Sequence, residues 1–306
     1  MIEIFQYLLN GLTIGGIYAL VALGFYMMWE VSKAANFTHG DVYMVGAVSA
    51  VALVGLGVPA LLAAAIAIVA AALLGALIER FLVRPFNTEP NAIGWMLTTI
   101  AFGIMLESGA TQTYGSLGRP LPSPLADTPI RFGGAGIYLQ ELLLPITAIA
   151  VMFVLEFFYK RTTLGRAMRA VAFNRTAAGL MGINPERMAL IAFAMAAAIA
   201  ALAGILIAPV VPALPTMGAI IGLKAFMVAI VAGIAIHLLS ERPRYSTVLF
   251  TAPFCSISGF ITSSSGSRLL AWSAGCQVGI AMMSWPERAC ASAAMVRRFL
   301  LPCEGM

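Results

Sequence analysis

Long apolar runs, broken by short polar interruptions, fill the first 239 positions of the chain. A helix needs about 20 mostly apolar residues to cross about 30 Å of hydrocarbon. Segments that meet this lie roughly at 4–28, 41–57, 58–80, 91–114, 138–159, 188–212 and 218–239. The pattern predicts an all-α, polytopic integral membrane helical bundle, with about seven spans in a transmembrane domain over 1–239. Within the first run, Gly11, Gly15, Gly16, Ala19, Ala22 and Gly24 alternate with large side chains. Small residues four apart let backbones approach closely in lipid, where packing must hold helices together. The same spacing returns at Gly204 and Ala208 and at Gly218 and Gly222, and it reads as bundle packing rather than a dimer seam.

The interruptions carry the candidate chemistry. Residues 30–41, EVSKAANFTHGD, place Asn36, Thr38, His39 and Asp41 beside a span. Polar groups left unpaired in lipid are costly, which leaves two readings. One is a turn lining the bundle interior near a translocation pathway, with Asn36 and His39 facing it. The other is a cytoplasmic hairpin turn with Asp41 as the N-cap of the next helix. Glu107, between Leu106 and Ser108, is the ionisable residue deepest in a span and joins them as a pathway candidate. Glu79 beside Arg80 and Glu156 four residues before Lys160 read as interfacial anchors, the second in the favoured orientation for a helical ion pair. Lys224 sits where it can snorkel, and Pro209, Pro212 and Pro215 end the sixth run.

Residues 160–187, KRTTLGRAMRAVAFNRTAAGLMGINPER, hold six of the 18 Lys and Arg residues against one acid, Glu186. Both flanks can cross a bilayer, so this basic stretch lies on a membrane face, and short positively charged loops favour the cytoplasm. Leu164, Met168 and Val171 recur at helical spacing; Ala177, Ala178, Leu180, Met181 and Ile183 then form a second small, apolar surface. The segment reads as a docking helix pair for a cytosolic partner. Lys33, Arg80 and Arg84 fall on the same side if the N-terminus is outside; Arg119 and Arg131, in the long opposite loop 115–137, run mildly against this. The first run is too long for a cleavable leader and starts with Glu3 rather than a basic residue.

Composition narrows the function. Hydrophobic residues make up 61% and charged residues 10%, with a mean hydropathy of +0.94, outside the range of soluble domains. The net charge of +5 follows from membrane-flanking Lys and Arg, so no nucleic-acid partner is implied. HExxH, GxSxG and clustered metal ligands are lacking, and only His39 and His237 occur. An enzyme is therefore not expected, nor a cofactor. None of Lys33, Lys160 and Lys224 follows a glycine, which excludes a P-loop, so uphill transport with ATP requires another chain to bind the nucleotide.

The motifs NGLTIGGIYALVALG (10–24), NFTHGD (36–41), ERFLVRP (79–85), TTLGRAMRAVAFNRTAAGLMGIN (162–184) and MGAIIGLKAFMVAIVAGI (217–234) resemble the branched-chain amino acid ABC transporter permeases, in that family's order and spacing. The resemblance implies a multi-pass permease subunit in a bacterial inner membrane. It pairs such a subunit with a second permease subunit, two cytosolic ATPase subunits and a periplasmic or other extracytoplasmic solute-binding protein. In such importers the cytoplasmic loop acts as a coupling helix. Carried onto this chain, Gly165, Arg166, Arg169 and the stretch Ala177, Ala178, Gly179, Leu180, Met181, Gly182, Ile183 seat in a cleft of an ATPase subunit. Relatives with similar motifs make urea or short amides alternative solutes. A self-sufficient secondary transporter or channel is the contrasting reading, and would show inverted repeats and intramembrane charges, for which the sequence gives little support. A structural membrane scaffold is a third.

The resemblance stops near Gly233 and Ile234. Cys255, Cys276, Cys290 and Cys303 are the four cysteines of the whole chain, and eleven serines lie from 240 onward against five before 235. Residues 240–306 therefore read as an atypical tail, the expected signature of a shifted reading frame or spliced end. The cysteine spacings match no zinc or redox motif.

Overall fold

The structure is a computed structural model that describes residues 2–87, 94–122, 129–132 and 135–239. The chain divides into two units, Met1–Ile261 and Thr262–Met306, and every described residue belongs to the first. The helices are α1 (Ile2–Ser32), α2 (His39–Gly55), α3 (Ala60–Ile78), α4 (Gly94–Tyr114), α5 (Leu139–Arg161), α6 (Thr163–Phe173), α7 (Arg175–Leu180), α8 (Pro185–Ile207) and α9 (Met217–Leu239). The seven runs read from the sequence coincide with α1 to α5, α8 and α9. Among the described residues, four stretches are long and apolar enough to cross a membrane, Gly11–Ser32, Ala60–Phe86, Leu142–Arg161 and Pro185–Ile207; His39–Gly55 and Met217–Ala232 are apolar but shorter. The protein is an all-α, multi-pass membrane bundle.

Helix α3 shows how lipid organises it. Ala63, Ala67, Ala71 and Gly75 are buried at four-residue spacing, whereas Leu62, Ile66, Val69, Leu73 and Leu77 point outward. Large apolar side chains outside and small ones inside suit a helix whose outer face meets lipid tails, because close backbone approach supplies the packing. Its small stripe meets α8, where a Cβ added to Gly75 would collide with Ala197 and the Phe193 carbonyl. Helix α8 buries Ala192, Ala196, Ala200 and Ala203 and packs against α1, α2 and α3, which makes it the central post. Gly204 lies on the Tyr43 carbonyl of α2, and Gly218 and Gly222 on Gly40. These small-residue pairs hold the bundle itself, as their spacing predicts.

Glu79 departs from its expected place as an interfacial anchor. Helix α3 runs into a π turn (Glu79–Val83) and a 3-10 turn (Arg84–Phe86), and Glu79 is only 4% exposed. The reason is periodic: residue 79 continues the buried stripe 67, 71, 75 at four-residue steps. Its Oε2 has no hydrogen-bond partner, although Arg84, Arg175 and Arg80 place positive charge around it. Glu156 and Lys160 form the expected ion pair on α5.

The long loop after α4 is not wholly irregular. Arg119 and Ala213 exchange two backbone hydrogen bonds, N–H to carbonyl at 3.4 Å and 3.1 Å, tying this loop to the connection between α8 and α9. The Arg119 guanidinium lies 5.2 Å from the Tyr114 ring centre. Strands β1 (Pro129–Phe132) and β2 (Ala135–Tyr138) pair antiparallel with Pro129 opposite Tyr138, a short hairpin that the helical periodicity did not foretell. The atypical tail, 240–306, lies outside the described residues.

Candidate functional sites

Residues 160–187 form two helices at the bundle end that holds the C-termini of α1, α3 and α5. Thr162 caps α6, its hydroxyl accepting from the Gly165 N–H at 3.0 Å, and Asn174 caps α7 by accepting from the Ala177 N–H at 2.9 Å. Asn184 caps α8 through the N–H groups of Glu186 and Arg187. Each cap satisfies donors that a helix start leaves free. After α7, Gly182 takes a φ of 85°. The Ile183 N–H then reaches the Ala178 carbonyl and the Gly182 N–H reaches the Gly179 carbonyl, the Schellman closure that glycine permits.

The pair is clamped from beneath. Gly165, Met168 and Val171 are buried on α6 and Ala178 on α7; Met168, Val171 and Ala178 share one apolar cluster with Met27 and Val31 of α1, Leu155 and Tyr159 of α5, and Met188, Ala189 and Ala192 of α8. A Cβ on Gly165 would strike the Phe158 carbonyl, so glycine is what lets α6 fold back on α5. Arg169 donates from Nη2 to the Tyr159 carbonyl, which commits one of its nitrogens to holding α6 in place. Arg84 and Glu186 form an ion pair between the end of α3 and the start of α8.

The outer surface is apolar and uncovered. Phe173 is 94% exposed, Leu180 86% and Met181 82%. Arg166, Ala177 and Gly179 are also exposed, and a Cβ on Gly179 or Gly182 would meet nothing within 4 Å. Of the residues expected to seat in an ATPase cleft, Gly165 and Ala178 belong to the anchored side, Arg169 is tied back to Tyr159, Ile183 is partly buried, and Arg166, Ala177, Gly179, Leu180, Met181 and Gly182 face outward. Leu164 also faces outward, so the inner face is set by Gly165, Met168 and Val171. Phe173 was not singled out; its place as the last residue of α6, beyond the buried spacing, was the available signal.

The second site is the turn before α2. Lys33 adopts a φ of 56° and ends α1, and the chain then enters the bundle. Asn36, Thr38 and His39 are enclosed and Asp41 is 6% exposed. The turn is interior, and the alternative of an exposed hairpin capped by Asp41 is not what forms. Thr38 occupies the cap position without a side-chain cap bond, and Asp41 falls in the first turn of α2. The Asn36 Oδ1 accepts from the Thr38 N–H at 3.0 Å, and the Thr38 hydroxyl donates to the Thr99 carbonyl of α4 at 2.6 Å. Phe37 stacks on Trp95 with centres 6.5 Å apart and meets Phe226 of α9 at 5.1 Å.

The turn sends its two ionisable residues opposite ways. His39 faces α1, against Gly24 and the Phe25 ring at 4.7 Å, where Gly24 also meets the Ala196 carbonyl of α8. The Val21 carbonyl is near the ring, but neither nitrogen reaches hydrogen-bond geometry. Asp41 faces α4 and α9, where Cβ atoms on Gly103 and Gly218 would touch its two oxygens. Glu107, one turn beyond Gly103, is close enough for its charge to bear on Asp41. Glu107 thus approaches Asp41, which the sequence reading had not selected, rather than His39. Among the described residues no group of three or more His, Cys, Asp or Glu is placed to hold a metal ion.

An apolar bundle, an interior polar turn at helix junctions and an uncovered helix pair at one end define a multi-pass membrane protein. The sequence model described as "Branched-chain amino acid transport system / permease component" matches residues 7–276, and the chain belongs to that family, the permeases of ABC transporters. It is 34% identical over 252 residues to the high-affinity branched-chain amino acid transport system permease protein BraD of Pseudomonas aeruginosa, covering 76% of this chain and 81% of the relative. It is 33% identical over 244 residues to the corresponding permease protein LivH of Escherichia coli K12, covering 75% and 79%. The ribose import permease protein RbsC of the same organism is 27% identical over 229 residues, covering 74% and 68%.

Proposed function

We propose that this chain is the membrane-spanning permease subunit of an ABC importer for branched-chain amino acids in a bacterial inner membrane. It would assemble with a second permease subunit, two cytosolic ATPase subunits and an extracytoplasmic solute-binding protein. ATP-driven closure of the ATPases moves the α6–α7 pair and rocks the bundle, exposing a pathway to each side in turn. The observation that carries this reading is the pair itself. Its inner face is fixed to α1, α5 and α8, while Phe173, Leu180 and Met181 stand uncovered. A surface that must transmit force needs both properties, a rigid base and an apolar tip that can be desolvated in a partner's cleft. The exposed Arg166 can add a charge-assisted bond at the rim.

The test is a double variant, Arg166→Glu with Gly179→Trp. Both positions are exposed and the space around Gly179 is open, so insertion and folding stay intact while co-purification of the ATPase subunits is lost. Unchanged co-purification would refute the assignment of this surface, and loss of insertion would make the pair a structural element only.

A further inference from the structure

The solute named above leaves the chemistry of its path open. We propose that the Asp41 carboxylate, seated between Gly103 of α4 and Gly218 of α9 with Glu107 one turn away, is the subsite that receives the solute's ammonium group during translocation. This rests on the importer reading and deepens it.

Asp41 is nearly enclosed, yet among the described residues no hydrogen bond or ion pair reaches its carboxylate; the ion pairs formed by Lys and Arg are those of Arg84 and Lys160. Lys224, six residues beyond Gly218 on α9, is on the exposed side of that helix. A buried anion without a partner is strongly disfavoured. The first turn of α9 beside it offers only about half an elementary charge, and Glu107 adds a second negative charge. The site is therefore short of a cation.

A Cβ on Gly218 would lie 2.7 Å from Oδ1, and one on Gly103 would meet Oδ2. Glycine at both positions is therefore what lets the carboxylate sit directly against the backbones of α4 and α9. Glu107 is only half-buried, so the acidic pair leads from the molecular surface inward. A carboxylate in an apolar bundle suits an ammonium group. It offers nothing comparable to a neutral sugar or to urea, and so selects the amino acid among the solutes considered.

Isoamylamine, a cation with a branched apolar chain, and 4-methylpentanoate, an anion of similar shape, separate the possibilities when added to the purified full chain. Isoamylamine is expected to raise the thermal unfolding midpoint of the wild type, and 4-methylpentanoate to leave it unchanged. The rise should vanish in Asp41→Asn and shrink in Glu107→Gln, whose side chain makes no hydrogen bond among the described residues. In the reconstituted importer, leucine uptake should fall at least tenfold in Asp41→Asn and severalfold in Glu107→Gln. No shift with isoamylamine in the wild type overturns the subsite, whether or not ATPases bind. If Asp41→Asn fails to fold, Glu107→Gln decides: an undiminished shift and undiminished uptake overturn it. A shift retained without ATPase association overturns the coupling reading alone.

Discussion

Phe173→Ala isolates the docking tip from the fold that carries it. The side chain ends α6 and is 94% exposed, so almost all of its apolar area is available to a partner. Full burial of a phenylalanine is worth about 1.5–3 kcal/mol. At about 1.4 kcal/mol per tenfold change in affinity, truncation should weaken ATPase association about 10- to 150-fold. Folding should be spared, because exposed substitutions of this kind stay within about 0.5 kcal/mol. The assay titrates purified ATPase subunits against the permease in nanodiscs, with the thermal midpoint measured on the same preparation. Unaltered affinity would place Phe173 outside the interface. A midpoint that falls as for a core truncation would mean that Phe173 is covered by this chain's own residues.

Met168→Ala attacks the opposite face of α6. The side chain is fully buried, so its loss should cost about 2–5 kcal/mol, seen as a lower unfolding midpoint, with coupling of ATP hydrolysis to uptake impaired even where the ATPases still bind. Arg84→Ala removes the pair with Glu186, whose side chains are 37% and 45% exposed. Solvent screening limits that pair to about 0–1 kcal/mol, so the midpoint should scarcely move; a large drop would mean that Arg84 acts mainly on the buried Glu79.

Much of this arrangement was legible in the sequence. The seven runs, the helix pair at 160–187 and the Glu156–Lys160 pair follow from periodicity and local spacing, and the structure contains them. What escaped depends on which side of a helix faces its neighbours. In lipid an apolar face can point in or out, so hydrophobicity does not tell inside from outside. Glu79 was misplaced for that reason, although the small-residue stripe at 63, 67, 71 and 75 reaches it. An Asp41 cap was one of the two readings the sequence allows, because Asp before an apolar run usually is one; only the approach of α4 and α9 shows it as an interior group. The β1–β2 hairpin lies in a proline-rich loop where neither period repeats.

The two candidate sites stand on shared supports, and this bears on how one could drive the other. The cluster under α6 and α7 includes Met27 and Val31 of α1 and Met188, Ala189 and Ala192 of α8. Barely a turn along the same helices, Gly24 of α1 meets both the His39 ring and the Ala196 carbonyl of α8, with His39 two residues before Asp41. Packed interiors transmit displacement because they hold few voids into which side chains can yield. A load on the helix pair under the proposed coupling is therefore borne by α1 and α8 together and meets α2 at its first turn. There the backbones of Gly40 and Gly222 touch, with Gly218 against Asp41. Close backbone contact of this kind holds helices together in lipid, so under the proposed coupling a displacement of α2 is passed on to α9 and changes the space around Asp41.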